Sequence, residues 1–159
     1  MADRDTPARR TPADTALLLD VMLGKLATYL RMCGYDTAYA LDRGVEADGR
    51  LLELARSEGR LLVTRDTQLA RRADGLLLES TAVTDQLREL ADAGFCLELS
   101  EPTRCANCNG ELVAVVADAE TPEYAPDPAE LQIWRCQNCG QHFWKGSHWE
   151  SVETALSEI

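Results

Sequence analysis

Between Ala16 and Leu99 the chain alternates short apolar runs with longer stretches in which apolar residues recur every three or four positions. The short runs "ALLLD" (16–20), "TAYAL" (37–41), "RLLVT" (60–64), "GLLLE" (75–79) and "FCLEL" (95–99) predict strands. The periodic stretches "MLGKLATYLRMCG" (22–34), "DGRLLELARSEG" (48–59), "TQLARRAD" (67–74) and "TDQLRELADAG" (84–94) predict helices. In the first of these, Leu23, Leu26, Ala27 and Leu30 fall at i, i+3, i+4 and i+7, one stripe of a helix. Gly34, Gly59 and Gly94 end their helices where a C-terminal stop is expected. Strand–helix alternation predicts an α/β fold with a mainly parallel sheet. An unbroken run such as "LLL" suits a sheet covered on both faces.

After Glu101 the helical period is lost, and Cys, Pro, Asn, Gly and aromatic residues take over. "ELVAVV" (111–116) and "LQIWR" (131–135) predict strands of a small β module, joined by the acidic, Pro-containing loop 117–130. "SHWESVETAL" (147–156) predicts a terminal helix, with Ser147 and Glu150 in the S-x-x-E spacing of a capping box. The expected division is a loose tail over 1–14, an α/β domain over 15–101, and a β module with its C-terminal helix over 102–159.

Composition narrows the class. Hydrophobic residues make up 45% of the chain, enough for a folded core. No apolar run approaches the roughly 18 residues of a membrane span, and the start carries no apolar signal segment. A cytoplasmic protein away from membranes is expected. The net charge of −11 is the opposite of the basic surface that phosphate contacts favour. With only Lys25 and Lys145 among 16 basic residues, the acidity reads as a solubility trait suited to high salt.

Four of the six cysteines form two C-x-x-C pairs, Cys105/Cys108 and Cys136/Cys139, with 27 residues between the pairs. Each pair offers two thiolates from one tight turn, and together they make the donor set of a closed tetrahedral zinc site. A four-thiolate iron–sulfur cluster is the alternative. Neither pair opens a helix, so a thioredoxin-like redox role is disfavoured. Gly110 and Gly140 follow the pairs, where knuckle turns often need positive φ. His142 and His148 are surplus to a four-cysteine site. Cys33 and Cys96 stand in apolar segments as core thiols.

Carboxylates supply the other candidate chemistry. In a parallel sheet, ligands collect beyond the carboxyl ends of the strands. Asp20 closes the first strand, Asp66 follows the third by two residues, and Asp48 opens the second helix. Three acids meeting at one rim would repel one another unless a magnesium or manganese ion joined them. Such ions can hold a phosphodiester for attack by an activated water. The competing role is plain helix capping. Asp42, Glu46 and Glu53 compete with Asp48 for the middle position, and Glu79 is a further candidate. Lys25, Arg31 and Arg65 are the cations nearest in sequence that could meet phosphate; Arg71 and Arg72 read as surface residues. No nucleotide-binding glycine motif and no nucleophile triad is legible.

"DVMLGKLATYLRMCGYDT", "LLVTRD", the paired C-x-x-C and "GSHWE" resemble the Mut-seven C-terminal RNase domain, a PIN-like domain fused to a zinc ribbon. The resemblance runs from about Leu17 to Trp149. It implies a PIN-like three-layer α/β/α fold and metal-dependent, endonucleolytic cleavage of RNA. It places Asp20, Asp48 and Asp66 as the metal-binding acids and Cys105, Cys108, Cys136 and Cys139 as ribbon ligands; Lys25 and Arg65, close to the acids in sequence, are the candidate phosphate contacts. His148 and Trp149 belong to a family motif and could dock the ribbon on the core or stack on RNA bases. The rival expectation is a non-catalytic RNA- or protein-binding module. A phosphatase acting on small molecules is weaker, because Met22 stands where a D-x-D motif would put its second acid.

Overall fold

Leu17, Leu18 and Leu19 form strand β1, and all three side chains are fully buried. The computed structural model describes residues 9–99 and 101–159. It places β1 within a sheet of four parallel strands with β2 (Thr37–Tyr39), β3 (Leu61–Thr64) and β4 (Leu76–Leu77), in the order β2-β1-β3-β4. Helices α1 (Gly24–Met32), α2 (Asp48–Glu58), α3 (Thr67–Ala73) and α4 (Val83–Asp92) alternate with the strands.

Successive strand residues point to opposite faces, so the leucine run feeds two cores. Leu17 and Leu19 join Val63, Leu26 and Leu30 of α1, and Leu87 and Leu90 of α4. Leu18 joins Ala38, Leu62, Leu51 and Leu52 of α2, and Leu69 of α3. Each fully buried leucine contributes about 1.5–3 kcal/mol. The result is the expected three-layer α/β/α arrangement. Chain direction along the sheet reverses between β1 and β3, which puts a topological switch point at their carboxyl ends.

A second, antiparallel sheet holds β5 (Leu112–Ala114), β6 (Trp134–Cys136) and β7 (His142–Phe143) in that order. Helix α5 (Ser147–Ser157) then returns to the parallel sheet's helices, where Leu156 packs against the α1/α4 core. The two parts meet at the β2 edge. The Thr37 N–H, free on the outer side of that edge strand, donates to Asn109 Oδ1 at 2.8 Å. Asn109 Nδ2 donates to Asp36 Oδ1 at 2.7 Å. An exposed sheet edge invites unwanted pairing, and the Asn109 side chain covers this one.

Four expectations change. "FCLEL" is not a fifth sheet strand: Phe95 makes a single bridge with Arg10, and the Cys96 backbone is taken up by Arg10 and the Tyr35 hydroxyl. Part of the expected loose tail is therefore anchored, since the Arg10 N–H donates to the Gly94 carbonyl at 2.8 Å; residues 1–8 lie outside the described residues. The capping box does not form, because Gly146 is the N-cap of α5 and Ser147 is already helical. Arg31 is a buried strut and not a phosphate contact. It donates to the carbonyls of Thr37 (2.9 Å) and Ala106 (3.1 Å) and pairs with Asp42 at 3.5 Å.

Candidate functional site

The switch point carries Asp20 and Thr64 at the ends of adjacent strands. Asp20 is 6% exposed. Its Oδ1 accepts from the Val21 N–H at 2.8 Å, and its Oδ2 accepts from the Thr64 hydroxyl at 2.7 Å. Asp20 does not cap α1, whose N-cap is Leu23. Among the described residues it has no ion-pair partner. A buried carboxylate without a countercharge carries a desolvation cost that a bound cation would offset.

Thr64 links this acid to the next. While donating to Asp20, its Oγ1 accepts from the Asp66 N–H at 3.0 Å. Asp66 is the N-cap of α3, with Oδ1 accepting from the Gln68 and Leu69 N–H groups at 2.9 and 3.2 Å. The capping role and a ligand role are compatible here, because both cap bonds fall on Oδ1. Asp48 begins α2 and faces Arg72 of α3 at 4.0 Å. Oxygens of Asp20, Asp48 and Asp66 do not all lie within 4.8 Å of one another: among the described residues, the group of three or more ligand atoms that close is the cysteine quartet.

The cations around the rim are exposed. Lys25, one residue into α1, has no partner among the described residues. Arg65 lies near Glu89. Burial raises that carboxyl, but N–H donors from Glu79 and Ser80 and the Arg65 charge hold it below the usual range. Tyr39 was not singled out from the sequence. Its hydroxyl donates to the Val21 carbonyl, and a Cβ on Gly24 would lie 2.9 Å from the Tyr39 hydroxyl oxygen. Burial, then the Asp42 and Asp20 charges, push the Tyr39 pKa up. Tyr39 and Gly24 thereby fix the loop that follows Asp20. The only sequence signal for Thr64 was its position two residues before Asp66.

The second centre is complete in donors. Sγ atoms of Cys105, Cys108, Cys136 and Cys139 all lie within 4.8 Å of one another. The pairs Cys105–Cys139 and Cys108–Cys136 are 3.7 and 3.5 Å apart. Tetrahedral thiolates about 2.3 Å from one ion stand about 3.8 Å apart, so the quartet could hold a structural metal such as zinc. Burial pushes the Cys108 thiol up, but donors from Asn138 and Gly110 and the Cys136 thiol outweigh it and bring the group to about 7. The turn geometry divides the glycine roles differently from the expectation. Gly140 has φ 78°, but in the first knuckle the positive φ, 73°, belongs to Asn109. Gly110 is needed for space: a Cβ there would sit 2.7 Å from Cys136 Sγ and 2.9 Å from Asn138 Cβ.

The "GSHWE" segment opens α5 beside the knuckles. A Cβ on Gly146 would lie 2.6 Å from Trp144 Nε1, so only glycine lets that indole rest where it does. His142 neighbours Tyr124 of the acidic loop, whose hydroxyl accepts from the His142 N–H at 3.1 Å. Among the described residues no helix is long and apolar enough to cross a membrane. No curated protein and no solved structure matches the chain. The Mut7-C RNAse domain matches residues 15–156, a span that takes in the parallel sheet, both acid-bearing strand ends and the cysteine quartet, and the chain belongs to that family.

Proposed function

We propose that the chain is a metal-dependent ribonuclease that hydrolyses RNA phosphodiester bonds endonucleolytically in the cytoplasm. Membership of the Mut7-C RNAse domain family supports a ribonuclease or nucleic-acid-related role and suggests RNA as the substrate. The observation that carries the finer reading is Asp20, a buried carboxylate at the switch point with no cationic partner among the described residues. Magnesium is commonly bound through one or two carboxylates with water completing its shell, so Asp20 and Asp66 suffice in kind, with Asp48 as the outer third acid. When bound there, magnesium or manganese supplies Lewis acidity and a more acidic water. Thr64 fixes the Asp20 carboxylate, and the α3 cap fixes Asp66. Lys25 and Arg65, exposed beside them, meet the phosphate charge. Cys105, Cys108, Cys136 and Cys139 hold a structural zinc that organises the ribbon.

The test is cleavage of single-stranded RNA by the zinc-loaded chain with and without magnesium or manganese. Asp20→Asn is expected to abolish cleavage and leave Tm near that of the wild type. Cleavage that survives this change, or that needs no divalent ion, overturns the reading. A second reading, a non-catalytic binding module, is favoured by one observation: the three acids do not close within 4.8 Å. It predicts RNA binding with no divalent-dependent cleavage.

A further inference from the structure

A cavity of about 210 Å³ opens between the end of α1, the first knuckle and the start of α5. Met32, Phe143, Trp144, His148, Trp149 and Arg104 stand on its wall. It is smaller than the roughly 300–1,000 Å³ of drug-sized ligand sites, and so takes one flat ring system. We infer that this cavity binds an unpaired nucleobase of single-stranded RNA. The choice of nucleic acid rests on the ribonuclease reading; the cavity chemistry does not.

Three features carry the inference. The aromatic wall is held in place: Trp144 lies against Gly146, which leaves no room for a Cβ, and its ring centroid is 6.2 Å from that of Tyr124. Lys145 Nζ sits 5.3 Å above the Trp149 ring and pairs with Glu101 at 3.2 Å, which fixes the second indole. Rigid indoles stack on any base at little entropic cost. Uncommitted polar groups stand beside them. The side chains of Gln141, Ser147 and His148 make no hydrogen bond with the described residues, and each could read a base edge. Finally, residues 105–159 hold 2 basic and 9 acidic side chains. None of those acids stands on the cavity wall, whose one charged side chain is that of Arg104, so the wall meets a neutral base chiefly by ring stacking.

Position makes the cavity useful to the rim. Lys25 and Met32 are seven residues apart on one face of α1, about 10 Å along its axis. Lys25 stands five residues after Asp20, near the start of α1, and Met32 on the cavity wall. A short single strand along that face would reach both, with one base seated and a phosphodiester at Asp20.

The experiment titrates the full, zinc-loaded chain with a short single-stranded RNA, without magnesium or manganese, and follows tryptophan fluorescence. The same RNA as a duplex is the control. Single-stranded RNA is expected to quench, with a shallow salt dependence, and the duplex is not. Trp149→Ala should weaken binding by about 5- to 150-fold, the range that one aromatic–base stack supplies. His148→Ala, an exposed change that leaves the ring wall intact, should weaken it less and alter base preference. Binding that Trp149→Ala and His148→Ala both leave unchanged overturns the inference, even where Asp20-dependent cleavage persists. No quench by single-stranded RNA also overturns it and leaves the cavity as a protein-docking face. If Asp20→Asn still cleaves while the quench and its Trp149 dependence hold, the nuclease assignment fails and the base site stands.

Discussion

The Thr64 hydroxyl donates to Asp20 Oδ2 at 2.7 Å, and so one strand end orients the acid on its neighbour. Groups that orient a metal-binding carboxylate typically affect metal affinity or activity by about 10- to 100-fold. Thr64→Val keeps the shape, removes this donor, and also leaves the Asp66 N–H without its acceptor. Manganese-supported cleavage should fall by about that factor, and Tm should drop with about 1–3 kcal/mol of lost stability. Thr64→Ser should retain both. Equal activity in Thr64→Val and wild type would detach Thr64 from the site.

Gly110 tests the ribbon. A methyl at this position would press on Cys136 Sγ and Asn138 Cβ, so the quartet must spread. Gly110→Ala should release zinc to a competing chelator at a far lower chelator concentration than wild type. Because a module this small folds with its metal, chelation of wild type should also unfold it. Asn109 leaves the Thr37 edge when that happens, so backbone hydrogen exchange at β2 should rise with zinc removal.

Acid should loosen the junction through Asp36 and Glu58. Burial raises the Asp36 pKa, but Asn109, Arg60 and Arg104 bring it below its ordinary 3.8. Arg43 and Arg60 lower that of Glu58 from 4.5 to about 2. Both folded values lie below the unfolded ones. Their stabilisation is therefore present above about pH 5 and is lost as pH falls from 4.5 towards 2. Tm should be flat between pH 5 and 7 on this account and decline below 4.5. Asp36→Asn should lower Tm at pH 7 and shrink the acid-dependent part of the decline.

Arg31 joins α1 to β2 and to the first knuckle through two carbonyls. Arg31→Met preserves the stem and removes the donors. Each hydrogen bond from a charged group contributes about 1.5–3 kcal/mol, and a chain of this length loses about 2–4 °C of Tm per kcal/mol. A fall of at least about 5 °C is expected in thermal melts, without loss of zinc.

Leucine spacing and the C-x-x-C pairs were legible because period and ligand spacing are local properties. The strand-end positions of Asp20 and Asp66 followed from the alternation of elements. Thr64, Tyr39 and Asn109 were not legible, since each acts across 18 to 72 positions on a partner that only the folded chain brings near. "FCLEL" has strand-like composition, yet Arg10 and Tyr35 satisfy its backbone outside the sheet. Arg31 read as a cation that could meet phosphate because its acceptors, Thr37 and Ala106, lie on other elements. Gly110 reads from sequence as a turn glycine, and only packing shows that thiols occupy the space a side chain would need.

The central claim is a divalent ion at the Asp20–Asp66 rim. Crystals of the zinc-loaded chain soaked in manganese, with diffraction recorded at the manganese absorption edge, test it most directly. An anomalous peak touching the carboxylates of Asp20 and Asp66, lost in Asp20→Asn, is the predicted result. A fully soaked crystal with no manganese at that rim, or with manganese there unchanged in Asp20→Asn, would contradict it.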